Sequence, residues 1–273
     1  SRRNIHAHYD LGNEFFRAWL DPDMLYSSAR FIDGAGDLAS AQQAKCRALA
    51  RLSDLRPGHR LLEIGSGWGS FALLAAKEFG ARVTGITISR EQLAFSQRRV
   101  QEEGLGEQVE IRFCDYRDVQ GRYDRLASIE MFEAVGESFW PVYFDKVRES
   151  LVDGGVAGLQ IITIADPYFE TYRRSPDFIQ RYIFPGGMLP SPSVLALHYG
   201  RAGLRVTGEE RFGGDYARTL ELWLERFRTA WPRLEAQGFD ERFRRIWTYY
   251  LAYCAAGFRT GAIDVAQTAL VRA

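Results

Sequence analysis

The sequence lacks an excess of either charge. Thirty-five lysines and arginines face thirty-five aspartates and glutamates among 273 residues, so wholesale electrostatic binding to nucleic acid is not indicated. Cysteine is scarce: Cys46, Cys114 and Cys254 show no Cys-x-x-Cys or Cys/His metal spacing and read as reduced cytosolic thiols, so neither a disulfide nor a metal site is expected. No apolar run approaches the length of a membrane span, and there is no signal-peptide pattern. The chain opens at Ser1 without methionine, which allows for a removed upstream segment. Repeats and low-complexity tracts are absent. With 46% apolar residues, a sizeable core is within reach and disorder is excluded.

What is present centres on Leu61-Leu62-Glu63-Ile64-Gly65-Ser66-Gly67-Trp68-Gly69, an apolar strand entering alternating glycines and then the Ala-rich helix Ser70 to Phe79. Such a turn shows bare backbone to a ligand, and the helix start offers unpaired N–H groups to an anion. A triphosphate-cradling loop needs Gly-Lys-Ser or Gly-Lys-Thr after the glycines, and none follows. A dinucleotide fingerprint needs a glycine where Ser70 stands and an acid after the second strand, yet Val83 to Ser89 has none. S-adenosylmethionine sites open with acid-x-Gly-x-Gly-x-Gly, as Glu63 to Gly69 does.

Periodicity gives a helical front end from Asn4 to Leu55, broken at Gly12-Asn13 and Asp21-Pro22-Asp23, with its strongest helix from about Ser40 to Leu52. It is expected to act as a lid over residues 1–55. Strands are predicted at Arg60 to Ile64, Arg82 to Thr87, Val109 to Cys114, Arg125 to Ile129 and Val156 to Ile164, with helical segments between them, which implies a parallel sheet over 56–164. Residues 165–203 form an insertion carrying Phe184-Pro185-Gly186-Gly187, a length that in compact domains usually serves a site. Over 204–273 a sixth strand, Leu204 to Phe212, precedes two aromatic-rich helices from about Ala217 to Phe258 and a last strand, Ile263 to Arg272. The fold class is therefore α/β, a Rossmann-like, class I methyltransferase layout with a seven-stranded, mostly parallel sheet.

Ligands of such sheets sit over the carboxyl ends of the strands where strand order reverses. Asp115-Tyr116 ends the third strand, where a carboxylate can accept from an adenine amine and a ring can cover the base; a solvated turn Asp fits as well. Glu130-Met131-Phe132-Glu133 ends the fourth, placing acids at the reactive end or, for one of them, at a helix cap. The spacings 223/227/231 and 239/243/247 follow one helical face, which points to core or subunit packing rather than an acyl tunnel. His198 reads as a surface helix residue.

Scattered blocks across essentially the whole chain resemble the cyclopropane fatty acid synthase family of methyltransferases. They are His8-Tyr9-Asp10, Tyr26-Ser27-Ser28-Ala29, Ala41 to Lys45, Gly85 to Ser89 with Gln92, Asp115 to Asp118, Met131-Phe132-Glu133, Tyr182 to Gly187 and Thr248 to Leu251. The resemblance implies that Tyr26, Ser27, Glu63, Gly65, Gly67, Thr87, Gln92, Asp115 and Tyr116 hold S-adenosylmethionine, with Thr87 and Gln92 replacing the missing ribose acid. It implies catalytic positions at Glu133, Tyr216, Ser28, Gln160 and Ile162, which in the family hold a bicarbonate ion. Here Ser28 stands for the family's Cys, Gln160 for its His, and Ala134 for a common His, departures that argue against bicarbonate dependence.

The implied substrate is an unsaturated fatty acyl phospholipid at the inner membrane surface, met by a cytoplasmic, peripheral enzyme, with a homodimer as one option. A cis alkene is a poor nucleophile, so a methyl group must be held in line with it in a dry site. Tyr9, Phe132, Tyr182, Phe184, Tyr216 and Tyr250 are the aromatic candidates for stabilising the resulting cation, and Glu133 is the expected base. Loss of a proton from the new methyl closes a cyclopropane; loss elsewhere gives a methylated or methylene chain. A benzylisoquinoline-type N-methyltransferase and a noncatalytic cofactor binder are the other classes.

Overall fold

Apolar β-branched runs alternate with Ala- and Leu-rich segments along the middle of the chain, and the computed structural model, which describes residues 11–272, folds them as strands and covering helices. After α1 (Asn13–Arg17) and α2 (Leu38–Leu52) come β1 (Arg60–Ile64), α3 (Ser70–Phe79), β2 (Arg82–Thr87), α4 (Arg90–Glu102), β3 (Val109–Phe113) and β4 (Tyr123–Ile129). Then follow α5 (Trp140–Glu149), β5 (Leu151–Ile164), α6 (Asp166–Arg174), α7 (Pro192–Arg201), β6 (Leu204–Arg211), α8 (Gly213–Ala236), α9 (Glu241–Arg259) and β7 (Ile263–Arg272). The strands make one sheet in the order β3-β2-β1-β4-β5-β7-β6, with β7 antiparallel to both neighbours and the rest parallel. Strand order reverses between β1 and β4, so the carboxyl ends of those two strands border the crevice where a ligand belongs.

Two expectations are corrected. No helix joins β3 to β4; a single 3₁₀ turn, Tyr116–Asp118, does so, with the Asp115 side chain accepting from Arg117 N. The front end is not a helical lid throughout. Between α1 and α2 the backbone is irregular because Asp21 captures the N–H groups of Asp23 and Leu25, diverting them from a helical ladder. Further, α2 lies on the sheet: Leu49 and Ser53 pack so closely over Gly158 of β5 that a Cβ there would sit 3.1 Å from each. A capping box between Asp37 and Ser40 starts this helix, a device worth about 1 kcal/mol.

The insertion is helical, as expected: α6, a π-helical turn at Ile179–Ile183, and α7. The aromatic spacing of α8 and α9 is core packing. Trp223, Phe227, Trp231, Phe239, Phe243 and Trp247 are all buried and meet Phe15, Trp19 and Leu20 from the front of the chain in one cluster. Tyr249 and Tyr253 on the opposite face of α9 are exposed. His198 is half-buried rather than superficial, its ring packed against Trp140 and Phe144.

Candidate active site

At the end of β1 the backbone turns through left-handed conformations at Gly65, Gly67 and Gly69, with φ of 80°, 53° and 86°. A Cβ at Gly65 would lie 2.8 Å from Met131, whereas one at Gly67 would meet nothing within 4 Å, so main chain faces open space there. Beside it, the Glu63 carboxylate is buried, and its Oε2 has no hydrogen-bond partner among the described residues. Burial pushes this carboxyl well above the usual carboxylate range, and the neighbouring Lys45 ammonium opposes that shift. Lys45, also buried, donates to Ser27 Oγ at 2.5 Å. At the end of β2, Thr87 Oγ1 donates to Gln92 Oε1 at 2.9 Å.

An orphaned buried carboxylate oxygen, open glycine backbone and a Thr/Gln pair suit the ammonium, carboxylate and ribose hydroxyls of S-adenosylmethionine. These residues fit that cofactor. Asp115 is less free than expected. Its oxygens accept from Arg117 Nε at 2.9 Å and from the terminal guanidinium nitrogen at 2.7 Å, which holds the carboxyl below its usual range. Tyr116 packs edge-on against Tyr143.

Across the crevice, the end of β4 carries two half-buried acids, Glu130 and Glu133. Glu130 Oε1 accepts from Ser28 N at 2.8 Å and from Gln160 Nε2 at 2.7 Å, and its Oε2 accepts from the Tyr216 hydroxyl at 2.5 Å. Glu133 Oε1 accepts from Ile162 N at 2.6 Å, while its Oε2 is buried with no partner among the described residues. Burial first, and the charge of Glu130 second, push the Glu133 carboxyl up to about 8. Three donors favour the ionised form of Glu130 against its own burial; one donor does little for Glu133. Burial raises the Glu130 carboxyl as well, against the Lys45 charge and its three donors, and the two acids titrate as a coupled pair.

Ser28, Gln160, Ile162 and Tyr216 thus converge on the two acids. Ser28 contributes its backbone N–H, since its hydroxyl donates to Ala29 O at 2.9 Å. Tyr26 belongs to the wall of this space: its hydroxyl lies 2.8 Å from that of Tyr250, and its ring contacts Phe184 and Trp223. Tyr216 stacks on Phe258 at 4.4 Å. The insertion reaches the site through Met188 N, which donates to Glu133 O at 2.9 Å. Phe132 points elsewhere, into the core with Trp140, Tyr143 and Phe144, and Tyr182 is exposed beside Phe178. Tyr9, with the rest of His8-Tyr9-Asp10, lies outside the described residues. The cleft of about 450 Å³ between α1 and α4, lined by Gly12, Arg17, Phe95 and Arg98 among others, shares no residue with the carboxylate site.

Sequence reasoning named Glu130 only as one of two strand-end acids and gave no role to Lys45 or Gln267. Gln267 Nε2 donates to Gln160 Oε1 at 3.0 Å and fixes that amide. The available signal was position: Glu130 and Gln160 end register-paired stretches of β4 and β5, with Ile129 opposite Gln160.

A family model for mycolic acid cyclopropane synthetase matches residues 1–268. This chain belongs to that family. Its fold is that of S-adenosylmethionine-dependent methyltransferases. It is 43% identical over its full length to the tuberculostearic acid methyltransferase UfaA1 of Mycobacterium tuberculosis, covering 65% of that protein. It is 41% identical, over 97% of its length, to the cyclopropane-fatty-acyl-phospholipid synthase of Escherichia coli strain K12, covering 66% of it. The chain thus spans about two thirds of the length of these curated relatives. The crystal structure of mycolic acid cyclopropane synthase CmaA1 complexed with SAH and CTAB superposes with a TM-score of 0.90 at 31% identity, covering 98% of this chain and 97% of the other. No helix among the described residues is long and apolar enough to cross a membrane.

Proposed function

We propose that this domain methylates the double bond of unsaturated fatty acyl chains in phospholipids, working at the membrane surface. The observation that carries the reading is the pair of carboxyl groups at the end of β4, closed in by Tyr26, Tyr216, Tyr250 and Phe184 and set across the strand crossover from the glycine turn. Glu63, Gly65, Gly67, Ser27, Thr87, Gln92, Tyr26, Asp115 and Tyr116 would hold S-adenosylmethionine, which when bound supplies an electrophilic methyl group on a sulfonium.

The chain's own residues then have three tasks. They exclude water: Gln160, Tyr216 and Tyr250 are buried and the two acids half-buried, so charge developing on the substrate is felt at low effective dielectric. They stabilise the cation left on the acyl chain, through the faces of Tyr26, Tyr216, Phe184 and Tyr250 at ~1–2 kcal/mol each if desolvated. And the carboxyl pair removes a proton.

Which proton is lost decides between two products. Cyclopropane formation is one reading. A methyl- or methylene-bearing chain is the second, favoured by the Glu130 carboxylate standing among Ser28, Gln160 and Tyr216 and by the likeness to a tuberculostearic acid methyltransferase. Vesicles of phospholipid with cis-monounsaturated chains, incubated with methyl-labelled cofactor and analysed by mass spectrometry, test both. Each product carries one added methylene unit, and only the cyclopropane lacks a double bond. Unlabelled lipid would end the proposal.

A further inference from the structure

Glu130 is an unusual residue on three counts. It is a non-glycine at φ 50°, a conformation costing on the order of 1 kcal/mol that persists only where surroundings enforce it. It is half-buried, and its carboxylate takes donors from three separate elements: the front segment (Ser28), β5 (Gln160) and α8 (Tyr216). And those donors are held before the carboxylate is counted. Gln160 is oriented by Gln267, which in turn donates to Lys45 O at 3.0 Å and accepts from Arg30 at 3.1 Å; Tyr216 is held by its stack on Phe258. A backbone N–H, an amide N–H and a hydroxyl aimed at one point form a cradle for a small anion, and the chain fills it with its own side chain.

We propose that Glu130 is the built-in anion and proton acceptor of this site, so that the reaction needs no dissolved carboxylate or bicarbonate. The inference rests on the function proposed above. Oε1 has both lone-pair directions taken by Ser28 N–H and Gln160 Nε2–H, whereas among the described residues Oε2 accepts only from Tyr216. The proton therefore goes to Oε2. In that step a C–H bond of the methylated cation breaks, its electron pair forms the new C–C or C=C bond, and the proton stays on Glu130 until product leaves and solvent takes it. A purely structural role, in which Glu130 only ties the front segment to the sheet, makes the opposite prediction for activity at unchanged stability.

The test uses the whole chain, cis-monounsaturated phospholipid vesicles and methyl-labelled cofactor, together with calorimetric titration of sodium bicarbonate. Glu130→Gln keeps size and Tm but should lower turnover by at least ~10²-fold, and Glu130→Gly should regain activity when formate or bicarbonate is added. Wild-type turnover should be indifferent to bicarbonate depletion, and wild type should give no saturable bicarbonate heat while Glu130→Gly does. Full turnover by Glu130→Gln, or saturable bicarbonate binding by wild type, overturns the assignment. Because the calorimetry needs no lipid, it still decides the inference if vesicle lipid is never methylated, an outcome that would count against the function alone.

Discussion

Among the described residues, Glu63 at the end of β1 keeps a buried oxygen without a partner; at the end of β4, both oxygens of Glu130 accept hydrogen bonds, and Glu133 stands between the two cases with one oxygen bonded and one bare. Desolvation raises the carboxyl of all three, so desolvation alone does not distinguish them. The difference lies in what surrounds them. An acceptor left open beside glycine backbone is completed by something that binds, whereas an acceptor saturated from three elements is part of the machinery itself. Glu133 then becomes the group whose protonation state burial and the Glu130 charge set.

The comparison is broken most severely at Glu133. Replacing it with Gln removes the second carboxyl of the pair, and activity should fall by ~10²-fold with cofactor affinity little changed. The pH profile supplies the sign. Because Glu133 is held up to about 8, kcat/KM should fall as pH rises through that value, when both acids of the pair become charged. A rise there would instead make Glu133 the base.

At the other end, Glu63→Gln should weaken cofactor binding by ~10-fold or more in calorimetry while the chemical step on saturated enzyme changes less. Equal loss in both would merge the two regions into one. Tyr216→Phe deprives Glu130 Oε2 of the Tyr216 hydroxyl and should cost about 10-fold in turnover, a smaller effect because Ser28 and Gln160 still hold Oε1.

The smallest effect concerns stability. The folded state retains a proton on Glu133 that the unfolded state releases above its usual value of 4.5. Stability from this group is full below pH 4.5 and lost as pH rises to about 8, and Glu133→Gln should flatten that loss by ~1–3 kcal/mol in denaturant titrations.

Much of the cofactor half was legible in the sequence. Strands β1, β2 and β7 and helix α3 match their predicted limits, because short β-branched runs bounded by glycine or charge leave little choice of register. The glycine turn was legible for the same local reason. The acyl half was less so. The front end looked helical by spacing, yet Asp21 redirects its backbone, and the β3–β4 link looked long enough for a helix but is a capped turn. Glu130 escaped assignment because its partners lie 102, 30 and 86 residues away at Ser28, Gln160 and Tyr216, and no local pattern reports such a meeting. Asp115 is engaged through both oxygens by Arg117 two residues on, a contact its strand-end position alone did not show.

The most direct measurement is mass spectrometry of cis-monounsaturated phospholipid vesicles after incubation with this chain and methyl-labelled S-adenosylmethionine. The account predicts one labelled methylene unit in the acyl chain, at the carbons of the former double bond. Label confined to a headgroup or to an added amine, with acyl chains unchanged, would contradict it.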